Sequence, residues 1–237
     1  MITKVRSHPD YDEEMEEDLE ENLILEAELM TELVDAMGYI TKSHGAAFLP
    51  TFQATIAPFF IQLLAPENPV SLRVNALCSF IDAIECCGPH AAVLVPPILS
   101  SIINGVTDAD EGVRQCASYG IGQLAQHQPA ALIPHAEAVL AKLMGVVQHA
   151  EAKAEENLEA TENAIGAIGR MCIHMEAHVD SAQLLPFWLS QVSAFVCLPE
   201  RVCMPRCGAT RARIPAPSSS MSRSPPLPPH TLNTPTT

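Results

Sequence analysis

The sequence predicts an all-α protein, built as a solenoid of stacked helix pairs, and three observations predict it. The first is the stretch Asp108 to Gln126, which reads as one amphipathic helix: Val113, Cys116, Ala117, Gly120, Ile121 and Leu124 fall three and four apart and share a face. That face is small as well as apolar, so a neighbouring helix can come close. The second is a recurring opener of two apolar residues and a proline, which suits the first turn of a helix, where no backbone N–H is required. It occurs as Phe48-Leu49-Pro50, Leu94-Val95-Pro96, Leu132-Ile133-Pro134 and Leu184-Leu185-Pro186, with the prolines 46, 38 and 52 residues apart. The third is composition: 48% hydrophobic but only 5% aromatic, a balance that suits packed helices better than a β-sandwich. A two-helix unit of roughly 40–47 residues is the period of HEAT-type repeats. The expected fold is therefore an α-solenoid of HEAT repeats, antiparallel hairpins stacked in a superhelix, over residues 22–196.

Taken in order, residues 10–21 carry nine acids and no base. Such a run repels itself and predicts a flexible, solvated segment over residues 1–21. Its acids Asp12, Glu13, Glu14, Glu16, Glu17, Asp18, Glu20 and Glu21 are candidate contacts for a basic partner. Asn22 to Ser43 is amphipathic, with Leu25, Leu29, Leu33, Met37 and Ile40 on one stripe, and reads as the second helix of a repeat. His44-Gly45 stops it. Ala47–Ala65 reads as a first helix bent at Pro58. Asn68 is the expected cap of a second helix, Pro69–Cys87, which Gly88-Pro89 breaks. Ala91–Val106 pairs with Ala109–His127, where Asp108 is the expected cap and Glu111 completes a capping box. Leu132–His149 pairs with Ala154–Met175, and Ser181–Val196 is a last, unpaired first helix. In all this predicts four consecutive hairpins, two of them incomplete or terminal. From Cys197 the pattern stops: residues 198–237 hold nine prolines, five arginines and one acid, which predicts a disordered Pro/Ser/Arg-rich tail over 197–237. The abruptness of that change predicts a splice variant or a faulty gene model.

A formal charge of −15 argues against nucleic-acid binding, which needs a basic face, and favours basic protein partners. The eight cysteines are scattered, and those within helical patterns read as reduced thiols in a small-residue core. The most apolar runs are broken by Pro58, Pro96 and Pro97, and no membrane span is expected. Gly120-x-Gly122-x-x-Ala125 matches a dinucleotide fingerprint, but its glycines lie inside a helix rather than between a strand and a helix, so close packing is the better reading. His174-x-x-x-His178 has Glu176 one place late for a zincin and sits at a helix end. Cys197, Cys203 and Cys207 are too loosely spaced for a zinc site. No metal, cofactor or catalytic residue is expected.

The segment from Glu16 to about Gln191 resembles the importin-β (karyopherin-β) family, and within it the importin-five, or karyopherin beta-three, branch. The residues that carry this are EGVRQCASYGIGQLAQ (Glu111–Gln126), ENLEATENAIGAIGR (Glu156–Arg170), RVNALCSFIDAIE (Arg73–Glu85) and LLPFWLSQV (Leu184–Val192). The resemblance implies part of the C-terminal half of a nuclear transport receptor that shuttles between cytoplasm and nucleus. It implies basic protein cargo on the inner, second-helix surface and nucleoporin Phe-Gly repeats on the outer one. Ran-GTP binding, implied for the full-length family, belongs chiefly to N-terminal repeats that this segment does not match. By the same resemblance Asp108, Arg114 and Arg73 occupy the Asp and Arg positions that form ladders between repeats. The partner position of Arg73 falls at Asn68 or a neighbour, and Leu158 stands where the third arginine would be, so the ladder should stop there. The alternative is a general HEAT-repeat interaction scaffold without a transport role.

Overall fold

The computed structural model describes residues 13–196, and all regular structure among them is helical. A single helix, α1 (Glu13–His44), is followed by three complete hairpins: α2 (Leu49–Leu63) with α3 (Val70–Cys87), α4 (Val95–Gly105) with α5 (Glu111–His127), and α6 (Ala136–Val147) with α7 (Leu158–His174). The helix α8 (Ser181–Val196) packs on α7. Helices α1, α3, α5 and α7 stack on one another in chain order, and each first helix covers its own second helix. The architecture is thus a two-layered α-solenoid. Three full hairpins stand between single helices at either end, where the sequence pointed to four with two incomplete.

Local chemistry explains where the helices begin. Asp110, in extended geometry (φ −86, ψ 134), caps α5 by accepting from the Val113 N–H. The expected cap, Asp108, is instead occupied with Arg73, and α5 starts later than the sequence indicated. Asn68 is likewise not the cap of α3: its amide donates to the Gln62 carbonyl, and Pro69 takes the capping position. Pro134 lies in a short 3-10 turn, Ile133–His135, ahead of α6, whereas Pro50 and Pro96 do open their helices. Pro186 does not; it lies inside α8, because Asp180 caps that helix earlier through the Gln183 N–H. The acidic segment expected to be flexible is helical from Glu13 onward. Carboxylates in the first turns of a helix meet the positive end of its dipole, which favours this extension. Asp12, and the tail expected over 197–237, lie outside the described residues.

Gly45 and Gly88 have φ of 51° and 54° and end α1 and α3. In α2 the residues Phe52–Ile56 form a π-helical turn, with the Ala57 N–H reaching back to the Phe52 carbonyl. Pro58 follows directly, and the wide turn replaces the simple bend expected there. The buried residues of α2 are Leu49, Phe52, Ala57, Phe60 and Leu63, so one interval is five residues and the surplus falls in the π turn. Phe52 then meets Phe80 of α3 edge to face, with ring centroids 5.6 Å apart.

The core runs the length of the stack through Phe80, Ile81, Ile84, Ile98, Ile102, Ile121, Leu124, Leu143 and Ile168. Gly120 lets α3 and α4 close on α5: a Cβ there would lie 2.9 Å from Ile81 Cδ1 and 3.3 Å from Ile102 Cγ2. Gly122 does the same toward α7, where a Cβ would meet Arg170 Nη1 at 2.9 Å. The glycine pair is therefore a packing device. By length and composition alone, Val70–Gly105 and Pro129–Val147 are apolar enough to cross a membrane, contrary to the sequence reading. The prolines do not interrupt these runs, because they sit in first turns. In the fold the first stretch turns back at Gly88 and carries Arg73, Asp82 and Glu85, and its apolar side chains build the core.

Candidate functional site: an acid-rimmed groove on the second helices

The stacked second helices leave a groove of about 850 Å³ over α1, α3 and the start of α5. Leu25, Leu29, Tyr39, Val70 and Val74 give it apolar walls. Six carboxylates line it (Glu28, Glu32, Asp35, Asp82, Asp110 and Glu111) against one cation, Lys42. The imbalance follows from the helix pattern. The faces that bury Val34 and Met37 of α1 and Ala76, Leu77 and Phe80 of α3 are used in stacking, so the adjacent positions face the groove.

Asp82 is the unusual member. It is only 7% exposed, and burial pushes its carboxyl up to about 6, with Lys42 drawing it down and Cys78, Glu85 and Asp35 adding to the rise. Gly38 of α1 faces it, and a Cβ at that position would lie 3.0 Å from Asp82 Oδ2. Beside it, the sulfurs of Cys78 and Cys116 lie 3.3 Å apart across α3 and α5. Hydrogen peroxide should join them, two thiols giving one disulfide and two waters, with a bond of about 2.05 Å. The expected product loses two hydrogens by mass and carries a Cys78–Cys116 cross-linked peptide. Recovery of both thiols unlinked after peroxide treatment would contradict the contact.

One edge of the stack carries the arginines. Arg73 Nη1 donates to Asp108 Oδ2 at 2.8 Å, so its partner is in the next hairpin and not at Asn68. Arg114 donates to the Asp108 and Ala109 carbonyls and, at 2.5 Å, to Asn157 Oδ1 of the following hairpin. The fourth position of α7, equivalent to Arg73 in α3 and Arg114 in α5, is Thr161 rather than Leu158. Its buried hydroxyl donates to the Ala152 and Asn157 carbonyls. Burial raises the Asp108 carboxyl, but hydrogen bonds from Arg73 and the Asp110 N–H hold it below the ordinary carboxylate range. Arg73→Ala should cost about 1.5–3 kcal/mol, the range for hydrogen bonds to charged groups. In a double-mutant cycle with Asp108→Ala the losses should be less than additive. Full additivity in thermal melts would separate the two residues energetically.

Of the acids singled out in the sequence, Glu13, Glu14, Glu16, Glu17, Asp18, Glu20 and Glu21 lie on the first turns of α1, and the described lining of the groove begins at Leu25. Sequence reasoning missed Asp82, Gly38 and Lys42. The available signal was a carboxylate flanked on both sides by apolar residues, in Phe80-Ile81-Asp82-Ala83-Ile84. His174 ends α7 and His178 lies in the turn beyond it, so the two do not share a helix face. Cys197, Cys203 and Cys207 lie outside the described residues.

These features define a class first: an α-solenoid of HEAT-like hairpins with a charged groove on its second helices. A family model for the importin repeat, described as Importin repeat 6, matches residues 3–66. A probable importin-5 homolog of Dictyostelium discoideum is 26% identical over 185 residues, covering 76% of this chain and 17% of that protein. Importin subunit beta-3 of Saccharomyces cerevisiae is 28% identical over 164 residues, covering 69% of this chain and 15% of that protein. Among solved structures, a multiply substituted Kap121p aligns with a TM-score of 0.62 at 24% identity, over 80% of this chain and 17% of that one. Kap121p bound to Ste12p aligns with a TM-score of 0.60 at 22% identity, over 70% and 15% respectively. Over these stretches the chain is similar to importins. It spans less than a fifth of the length of the relatives it matches.

Proposed function

We propose that this chain forms part of a nuclear transport receptor and that the groove over α1, α3 and α5 receives basic segments of protein cargo. The carrying observation is the groove itself, six carboxylates against one lysine around apolar walls. Kap121p, whose fold the chain shares, has been solved bound to Ste12p and to the SUMO protease Ulp1p, which supports protein cargo as the ligand class. The acids from Glu13 to Glu21 add to the negative charge of α1, and a negative field speeds the approach of a cationic partner. On the first-helix side Phe59 and Val93 are each 48% exposed, a surface suited to nucleoporin Phe-Gly repeats. Ran-GTP binding is assigned to the whole receptor rather than to these residues. The role is one of binding, without catalysis, and it entails shuttling between cytoplasm and nucleus.

Binding of a labelled lysine- and arginine-rich histone peptide, measured by fluorescence anisotropy across a salt series, tests the assignment. Exposed ion pairs are worth on the order of 0–1 kcal/mol each and are screened by salt. Affinity should therefore fall steeply with salt, and Glu28→Lys with Glu111→Lys should weaken it about tenfold at low salt. Affinity indifferent both to salt and to the reversals would remove the groove from cargo binding.

A further inference from the structure

The groove crosses the seam between two hairpins. Its wall is α3 on one side of that seam and the first turns of α5 on the other, and Cys78 and Cys116 line it from the two sides. Their sulfurs lie 3.3 Å apart, close enough for one thiol to hydrogen-bond the other. Ala117 and Gly120 of α5 carry too little side chain to hold α3 further off. Cys116 is 4% exposed and Cys78 half-buried, and a small oxidant reaches the pair from the groove. The last two thiols of α3 are less reactive. Burial pushes Cys86 up to about 11, with Asp82 and Glu85 adding to the rise, and burial also raises Cys87, so both stay protonated.

In a solenoid each hairpin touches only its neighbours, so the setting of one hairpin on the next is its softest coordinate. Here that setting governs the width of the groove. Glu28, Glu32 and Asp35 stand on α1, while Asp110 and Glu111 stand at the start of α5, with α3 between them. Like charges on the two sides hold the rows apart until cations lie between them. A basic guest relieves that repulsion and lets the rows close on it.

We propose that Cys78 and Cys116 are a redox modification site that controls the groove: oxidation to a disulfide pins α3 to α5, stops the acidic rows from closing on a basic segment, and so weakens its binding. The control rests on the reading of the groove as a cargo site. With hydrogen peroxide as oxidant, the thiolate of one cysteine attacks a peroxide oxygen, the O–O bond breaks, and a sulfenic acid and one water result. The second thiol then attacks that sulfur and displaces its oxygen as a second water, leaving the disulfide. A dithiol reductant returns both protons and both electrons. The coupling is reciprocal: a segment that binds the dithiol form more tightly makes the disulfide harder to form by the same factor.

The test uses the full chain and the labelled histone peptide. Protein reduced with dithiothreitol is compared with protein oxidised by peroxide, the excess being removed by catalase and the Cys78–Cys116 link verified by peptide mapping. The reduced form should bind at least about fivefold more tightly at low salt. In a glutathione buffer, saturating peptide should shift the dithiol–disulfide equilibrium toward the dithiol by the same factor. Cys78→Ala with Cys116→Ala, which keeps every other cysteine, should bind equally before and after oxidation. Circular dichroism melts check that each form is folded. A mapped disulfide that leaves the affinity unchanged, or raises it, overturns the control while the groove assignment stands. So does a pair that resists peroxide, or an equal loss of affinity in the double alanine variant. If neither redox form binds the peptide even at low salt, the groove assignment falls and the control with it.

Discussion

A leucine at position 120 is expected to cost about 3 kcal/mol or more, at the upper end of what overpacking does to a closed core. Even a Cβ at this position would be 2.9 Å from Ile81 and 3.3 Å from Ile102, both fully buried, so the whole isobutyl group must push α3 and α4 away from α5. For a fold of this size roughly 2–4 °C of melting temperature goes with each kcal/mol. A fall of about 6–12 °C is therefore expected for Gly120→Leu. Gly145→Leu is the matching control, since a Cβ there meets nothing within 4 Å and leucine is the better helix former. Its melting temperature should be unchanged or slightly raised. Equal melting temperatures for wild type and Gly120→Leu would remove Gly120 from the helix contact.

The opposite sign is expected at Asp82. Its folded-state value of about 6 lies above the ordinary 3.8, so between these values the folded protein holds a proton that the unfolded chain has released. Its contribution to stability is accordingly present at low pH and lost as pH rises through about 6. A rise of about two units corresponds to about 2–3 kcal/mol of penalty at pH 7 and above. Asp82→Asn should remove that penalty and melt roughly 5–10 °C higher than wild type at pH 7.5. The gap should close as the pH is lowered toward 4. A pH-independent gap, or a less stable Asp82→Asn protein at pH 7.5, would show that the carboxylate is not held at a cost. Asp108 runs the other way. Its depressed value gives stability that is present above the ordinary carboxylate range and lost on further acidification, so the two carboxylates are separable by pH.

Helix identity was legible in this sequence because it depends on short-range periodicity. Ser181–Val196 is the plainest instance, its observed bounds being those the pattern indicates. The start of α5 was not legible, because Asp108 and Asp110 are equally good caps on paper. The choice is made by Arg73, 35 residues away, which takes the first of them. Pro186 imitates an opener because the pattern of two apolar residues and a proline carries no information about a competing cap at Asp180. The helical state of Glu13 to Glu21 was hidden by composition, since self-repulsion and a favourable end of a long helix demand the same residues. The groove was the least legible feature. It is assembled from three helices whose contributions lie far apart in sequence, and Asp82 looked like one more polar residue in a core helix. The ladder was half legible: its residue types stand in the sequence, but the partner of each arginine depends on how successive hairpins are set against one another.

The π turn of α2 bears on how the length of such chains can change. Its surplus residue is absorbed between Phe52 and Ala57 without moving either from the core, because the wide turn takes up the extra rotation. Deleting one residue between them would leave an interval of four, which an ordinary helix also satisfies, and the Phe52–Phe80 contact would survive. Elsewhere in the stacked helices a single deletion swings every preceding or following side chain by about 100°. Phe52–Ile56 is therefore the place in this fold where a lineage can gain or lose one residue and remain folded, and where alignments of related chains should show their gaps.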